Sequence, residues 1–277
     1  MELKVVMHCL SPLAHGAFEG DAGNAVPVRR MRVVSLPGRP RVPVVSGNAL
    51  RGILRRIVMR DLLIDRAGLG PGSLPGGQWD RLYAALANGG HLEGESEGSI
   101  KPDDVRALRE SLPPLSVFGA ALYSWLLPGH MSVSILWPRC RETLQAGLVE
   151  TAPDVAAEDL VDEVSLCRHV DRELQDPEAS GVTPMPTTVE VLATGAVLEG
   201  RIVFARSASD VERAVIAYGL RYLRNIGGKS GVGLGLVAID GDLDDVPYLD
   251  WLAATMDLRE RLVTLAARLE RKPGKEK

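Results

Sequence analysis

The feature that most restricts the fold is an apolar stripe that begins inside VPVVSGNALRGILRR, residues 42–56. Leu50, Ile53, Leu54, Ile57, Val58 and Leu62 recur at the i, i+3, i+4, i+7, i+8 spacing of one helical face. A helix with a single apolar side must be covered by a sheet or by another helix. Ser46 stands where a capping hydroxyl belongs, and Gly47 keeps the first turn uncluttered. Arg51, Arg55, Arg56 and Arg60 fall off the stripe, so the spacing predicts a helix that packs by one side and offers guanidinium groups on the other.

A second helix is expected in SASDVERAVIAYGLRYLRNIGG, where Ser209 and Glu212 match a capping box. Strands are expected in ELKVVMHCL (2–10), in the alternating MSVSILWP (131–138), once or twice in 188–207, and in GLVAIDG. VPVRRMRVVSLPGRPRVPVV reads as a hairpin-like excursion, because its LPGRP turn stops any helix. The preceding GAFEGDAGNA has the composition of a flexible loop.

With two insertions set aside, the order is β, α, β, β, α, β, the succession of the α+β ferredoxin-like fold. The central unit then comprises residues 1–66, 131–138 and 187–245. Residues 67–130 read as a helical insertion and the acidic, proline-containing 139–186 as a protruding arm. The last part, 246–277, carries an amphipathic helix that docks on the body or on a neighbour.

Charge narrows the function. The chain has 277 residues and a net charge of −4, yet Val28–Arg66 holds ten arginines against Asp61 and Asp65. That segment is +8 and everything else sums to −12, a distribution that fits a defined phosphate-binding surface or a solvated arginine-rich face and not a general polycation. Cys9, Cys140 and Cys167 are scattered, and the five histidines form no HExxH and no helical i,i+4 pair, so no metal site and no cofactor is expected. No apolar run approaches membrane-spanning length, and MELKVVMHCLSP is unlike a secretory signal. A cytoplasmic protein without a membrane partner is expected.

GGKSGVGLG, residues 227–235, reproduces the GKS end of a nucleotide-binding P-loop, but the glycine required five residues before Gly228 is Leu223. The loop also runs from helix to strand, whereas a P-loop runs from strand to helix. What its glycines permit is a chain lying flat against another backbone, with Lys229 and several N–H groups free to meet phosphate or sugar oxygens.

VPVVSGNALRGILRR and GGKSGVGLG, in this order, resemble the two strongest motifs of the RAMP superfamily of CRISPR-associated proteins, and within it the backbone subunit of multi-subunit effector complexes. SPLAHG after the first strand, SVFG before the second and TVEVLATGAVLEGRI are further points of similarity, and the resemblance spans most of residues 2–240. It implies a ferredoxin-like palm, a helical fingers insertion (67–130), a thumb arm (139–186), and a role in antiviral defence. The implied partners are a guide crRNA, copies of the chain itself in a helical filament, other effector subunits, and target DNA or RNA paired with the guide. Sequence is then read by base pairing and the protein needs only backbone and shape contacts.

The RNA contacts the resemblance implies fall on His15, Arg29, Arg30, Ser46, Gly47, Asn48, Arg51, Arg55, Arg56, Arg168, His169, Gly228, Lys229, Ser230 and Gly231. Backbone subunits that cut RNA carry an aspartate shortly before a Pro-Val-Ile-Arg-like run. The run here is VPVRR, Ala25 stands two positions before Pro27, and Asp21 is out of register. In-line hydrolysis with a metal needs a placed carboxylate, so a non-cutting subunit of type I or type IV is expected. The alternatives are a metal-dependent target ribonuclease using Asp21, and a guide-processing endoribonuclease using His15 or His169 as base.

Overall fold

Alternation along the first strand places the core. β1 (Glu2–Cys9) buries Val5, Met7 and Cys9 on one face. The structure is a computed structural model, and residues 1–16, 25–92, 102–123, 125–166, 187–241 and 243–269 are described. In chain order β1 is followed by β2 (Ala25–Val26), β3 (Arg30–Arg32), β4 (Arg41–Pro43) and α1 (Gly47–Arg60), which widens into a π-helical turn over Asp61–Arg66. Then come α2 (Gln78–Ala87), β5 (Gly90–Leu92), α3 (Pro102–Ser111), α4 (Pro113–Phe118), β6 (Ala120–Tyr123) and β7 (Trp125–Leu127). The chain returns through β8 (Met131–Val133), β9 (Trp137–Pro138), α5 (Arg141–Gln145), β10 (Val161–Leu166), β11 (Thr187–Leu192) and β12 (Val197–Phe204). It ends in α6 (Asp210–Arg221), β13 (Val237–Asp240), α7 (Val246–Ala254) and α8 (Leu258–Arg268).

The fold is mixed α+β. Its largest sheet runs β13-β1-β12-β8, with β9 also on β12, and every neighbouring pair is antiparallel. α1 lies in sequence between the first and second of these strands and α6 between the third and fourth. Leu50, Leu54 and Val58 of α1 join Val215, Tyr218 and Leu220 of α6 in one core with the buried faces of β1 and β12. Each such side chain contributes about 1.5–3 kcal/mol by leaving water. The two helices meet at Gly219, where a Cβ would lie 3.3 Å from both Leu54 and Val58.

The start of α1 is set by a break in the expected strand 131–138. Between the pairs Val133↔Ile202 and Trp137↔Glu199, residues 134–136 face only Gly200 and Arg201, so this strand carries one extra residue. The bulge turns Leu136 toward Val45, with which it exchanges two backbone hydrogen bonds of 2.9 and 3.2 Å. Gly47 then rests directly on the bulged backbone: a Cβ there would lie 2.2 Å from the Val133 carbonyl oxygen.

Several local expectations are met. Ser209 and Glu212 form both limbs of the capping box on α6, and β3 and β4 form the hairpin around the LPGRP turn. The terminal segment differs: it forms two helices, α7 and α8. Leu262, Leu265 and Ala266 of α8 are buried, and Arg259 donates to the carbonyls of Ala67 and Gly68 at 2.9 and 2.8 Å, so α8 docks on the body.

Residues 139–160, expected to begin a protruding arm, are packed down. Cys140 and Ala157 share a small second core with Val33 and Val42, and the buried Thr143 hydroxyl donates to the Pro138 carbonyl. β10 and β11 pair from Val161↔Leu192 to Leu166↔Thr187, while the arm between them, 167–186, lies outside the described residues. Among the described residues no helix is long and apolar enough to cross a membrane.

Candidate nucleic-acid interface

Three segments distant in sequence meet at the N-terminal end of α1. Ser46 is extended (φ −71°, ψ 143°) and its hydroxyl accepts the N–H of Ala49 at 3.3 Å, which is the cap its sequence position predicts. The N–H of Ser46 itself donates to Nε2 of His15 at 3.2 Å. An accepting Nε2 places the ring proton on Nδ1 and requires a neutral imidazole. Burial, and then the positive charge of Arg29, hold the His15 pKa below its ordinary value.

The second segment is the chain just before His15. Leu13 bridges Leu192, and Ala14 bridges Gly228, whose N–H donates to the Ala14 carbonyl at 2.8 Å. The glycine loop therefore lies flat on another backbone, as its composition suggests. Gly227, at φ 91°, is required there because a Cβ would stand 2.3 Å from that same carbonyl. Lys229 is also left-handed (φ 63°), a conformation that costs a lysine about 1 kcal/mol. It is held there with its side chain exposed, and Ser230 and Gly231 continue the exposed turn.

Between these segments and α1 is a cavity of about 340 Å³. Ile53 and Arg56 form one wall, Val26 and Val189 another, and His15 and Gly227–Lys229 the rim. Among the described residues its charged groups are cationic and no carboxylate lines it, which suits anion binding. The first N–H groups of α1 have no partners within the helix and add to the same field.

The arginines of the basic segment divide into two kinds. Arg56 is exposed, and among the described residues it makes no ion pair. Asn48 is exposed beside it. Arg30 instead donates to Glu190 Oε2 at 2.8 Å, and the same carboxylate oxygen accepts the Val28 N–H at 2.9 Å. The hydrogen bond from Arg30 holds the Glu190 pKa below the ordinary carboxylate value. The Arg29 backbone donates to the His15 carbonyl at 2.7 Å and accepts from Val44, which ties the hairpin to the loop after β1.

Arg51 and Arg55 depart from the outer-face expectation. Arg55 is only 7% exposed, and both arginines donate through Nη2 to the Phe118 carbonyl, at 2.7 Å for Arg55. The Arg55 guanidinium also sits 5.5 Å from the centre of the Phe118 ring. Burial, and then the neighbouring Arg51 charge, push its pKa down to about 10. The insertion thus covers part of the face that periodicity assigns to solvent. Gly47 is buried on β8, a packing position instead of an open contact.

Asp21, Arg168 and His169 lie outside the described residues. Sequence reasoning singled out SVFG without seeing that Phe118 supplies a backbone acceptor for two arginines, since a carbonyl leaves no mark on residue identity. The pairing of Glu190 with Arg30 across 160 positions likewise leaves no mark in the sequence.

No family model matches the chain, and no curated protein matches it. Among solved structures, the chain is similar to one described as a type IV-B CRISPR complex, at 19% identity and a TM-score of 0.53, over 87% of this chain and 90% of that one. The two chains share a fold.

Proposed function

We propose that this chain is a guide-RNA-binding backbone subunit of a CRISPR effector ribonucleoprotein, holding RNA along the edge formed by α1 and the glycine loop without cutting it. The observation that carries this reading is the meeting of Arg56, Lys229 and the capped start of α1 around one cationic cavity. A-form RNA is gripped through phosphates and 2′-hydroxyls, and such a rim addresses phosphate without asking for a base.

The fold supports the reading. The strand order 4-1-3-2 of the large sheet, with a helix after the first and third strands, supports reading it as a ferredoxin-like palm. On this reading the segment 67–130 would be the fingers and the β10–β11 pair the base of the thumb. The similarity to a chain from a type IV-B CRISPR complex covers 87% of this chain and 90% of that one and supports the type IV reading. Partners are then guide crRNA, further copies of the chain, other effector subunits, and a target paired to the guide.

Imaging the purified protein with its RNA tests this reading: a regular helical filament is expected, and free monomers beside naked RNA would overturn it. Incubation of the assembly with complementary RNA and magnesium or manganese tests the non-cutting part. Intact RNA is expected. Cleavage at regular intervals that disappears in Asp21→Ala would replace it with a metal-dependent ribonuclease.

A further inference from the structure

The β3–β4 hairpin carries cations that its own fold leaves unmatched. Residues 30–41, RMRVVSLPGRPR, hold four arginines and no acid. Arg30 is matched by Glu190. Arg32 and Arg41 are exposed and stand directly opposite each other across the ladder, a register in which like charges repel. Neither they nor Arg39 of the turn pair with a carboxylate among the described residues. Val33 and Val42 hold the hairpin down on the small second core, while Val34, 72% exposed, and Met31 face solvent as apolar points. A phosphate chain would match the arginines but not these apolar side chains.

The complementary surface lies elsewhere on the molecule. Between β1, β12, α6 and the start of α7 is a groove of about 440 Å³ with an apolar floor of Leu3, Phe204, Ala217, Leu243 and Pro247. Its rim carries Glu2, Asp210 and Asp244, and Arg213 there is already bound to Asp210. Glu2 is held by Arg201, which leaves Asp244 and, exposed on α7, Asp250 without a cation among the described residues. The sequence is acidic throughout this region: residues 240–250, DGDLDDVPYLD, hold five aspartates and no lysine or arginine. α7 and the turn after it extend the apolar surface with Val246 and Met256, 56% and 93% exposed.

The two surfaces fit each other in charge and in polarity, yet they do not meet within one copy. At the groove the Phe204 N–H donates to the Met1 carbonyl, whereas the hairpin is fastened beyond the other end of β1, where the Arg29 N–H donates to the His15 carbonyl. The eight residues of β1, about 26 Å of strand, lie between them. We propose that the β3–β4 hairpin of one copy docks in the groove of the next, with Val34 against the apolar floor and Arg32, Arg39 and Arg41 facing Asp244 and Asp250. A contact between two different patches is not self-complementary, so it repeats head to tail and builds a row of copies. The proposal rests on reading the chain as a repeated subunit and adds the contact by which copies hold each other without RNA.

Sedimentation velocity at low salt, on protein stripped of RNA by high salt and nuclease, tests the contact. The wild type is expected to grow past the dimer as its concentration rises. Arg32→Glu with Arg41→Glu spoils only the hairpin, and Asp244→Lys with Asp250→Lys spoils only the groove. Each variant is expected to associate at least tenfold more weakly at unchanged Tm, and Val34→Glu, on an exposed side chain, replaces a charge reversal that lowers Tm. An equal mixture of the hairpin variant and the groove variant is expected to give dimers and nothing longer, since one intact groove then meets one intact hairpin. A stripped wild type that stays monomeric, variants that associate like the wild type, or a mixture that stays monomeric overturns the contact. A hairpin variant that assembles normally but loses RNA also overturns it and assigns these arginines to RNA. Failure of the guide-binding reading is read separately, as absence of RNA from the purified protein before stripping.

Discussion

His15 accepts the backbone N–H of Ser46 at 3.2 Å, so the loop after β1 is fastened to the residue that caps α1. The contact works only while the imidazole is neutral, because a protonated ring has no acceptor and adds positive charge at the positive end of the helix.

A pH dependence follows. The His15 pKa is lowered in the folded state, chiefly by burial, from an unfolded value of about 6.5. The contribution is therefore complete above pH 6.5 and is lost as pH falls through the folded value. Denaturant midpoints between pH 7.5 and 5 are expected to fall further for the wild type than for His15→Gln, whose amide oxygen accepts without titrating. Parallel curves would contradict the contact.

The glycines separate into two roles. Gly47→Ala forces a Cβ to within 2.2 Å of the Val133 carbonyl and is expected to cost about 1–3 kcal/mol in chemical denaturation. Gly231→Ala meets nothing within 4 Å and is expected to stay within about 0.5 kcal/mol of the wild type.

Arginines one position apart are expected to behave differently. Arg55→Ala removes a donor from the Phe118 carbonyl and loosens the insertion, lowering stability by about 1–2 kcal/mol. Arg56→Ala leaves stability unchanged and lowers the slope of log affinity for RNA against log salt by about 1, as removal of one phosphate contact does. Unfolding titrations and filter binding at several salt concentrations read the two effects apart.

Glu190→Gln is expected to destabilise by about 1–2 kcal/mol, since Arg30 and the Val28 N–H share its oxygen. The same change frees Arg30 and is expected to strengthen RNA binding while weakening the fold.

Much of this arrangement was legible from local pattern. Ser46, the Leu50–Val58 stripe and the Ser209–Glu212 box concern residues within one or two turns of each other, where periodicity and capping speak directly. The flat lie of the glycine loop was also foreseeable, because Gly227 meets a backbone. What was hidden depends on distant partners with no side-chain signature: the Phe118 carbonyl that draws in Arg55, the Val133 carbonyl beneath Gly47, and the extra residue at 134–136 that aims the chain into α1. Periodicity treats every off-stripe arginine as solvated, and an insertion folding back over the helix breaks that assumption.

The central claim is that the edge built from α1 and the glycine loop holds RNA. Its most direct measurement is the RNA content of purified protein beside that of Arg56→Glu combined with Lys229→Glu, two exposed changes that spare the buried arginines. The account predicts RNA of mixed sequence on the wild type, released by high salt, and its loss from a double variant of unchanged Tm. A folded double variant carrying as much RNA as the wild type would contradict it.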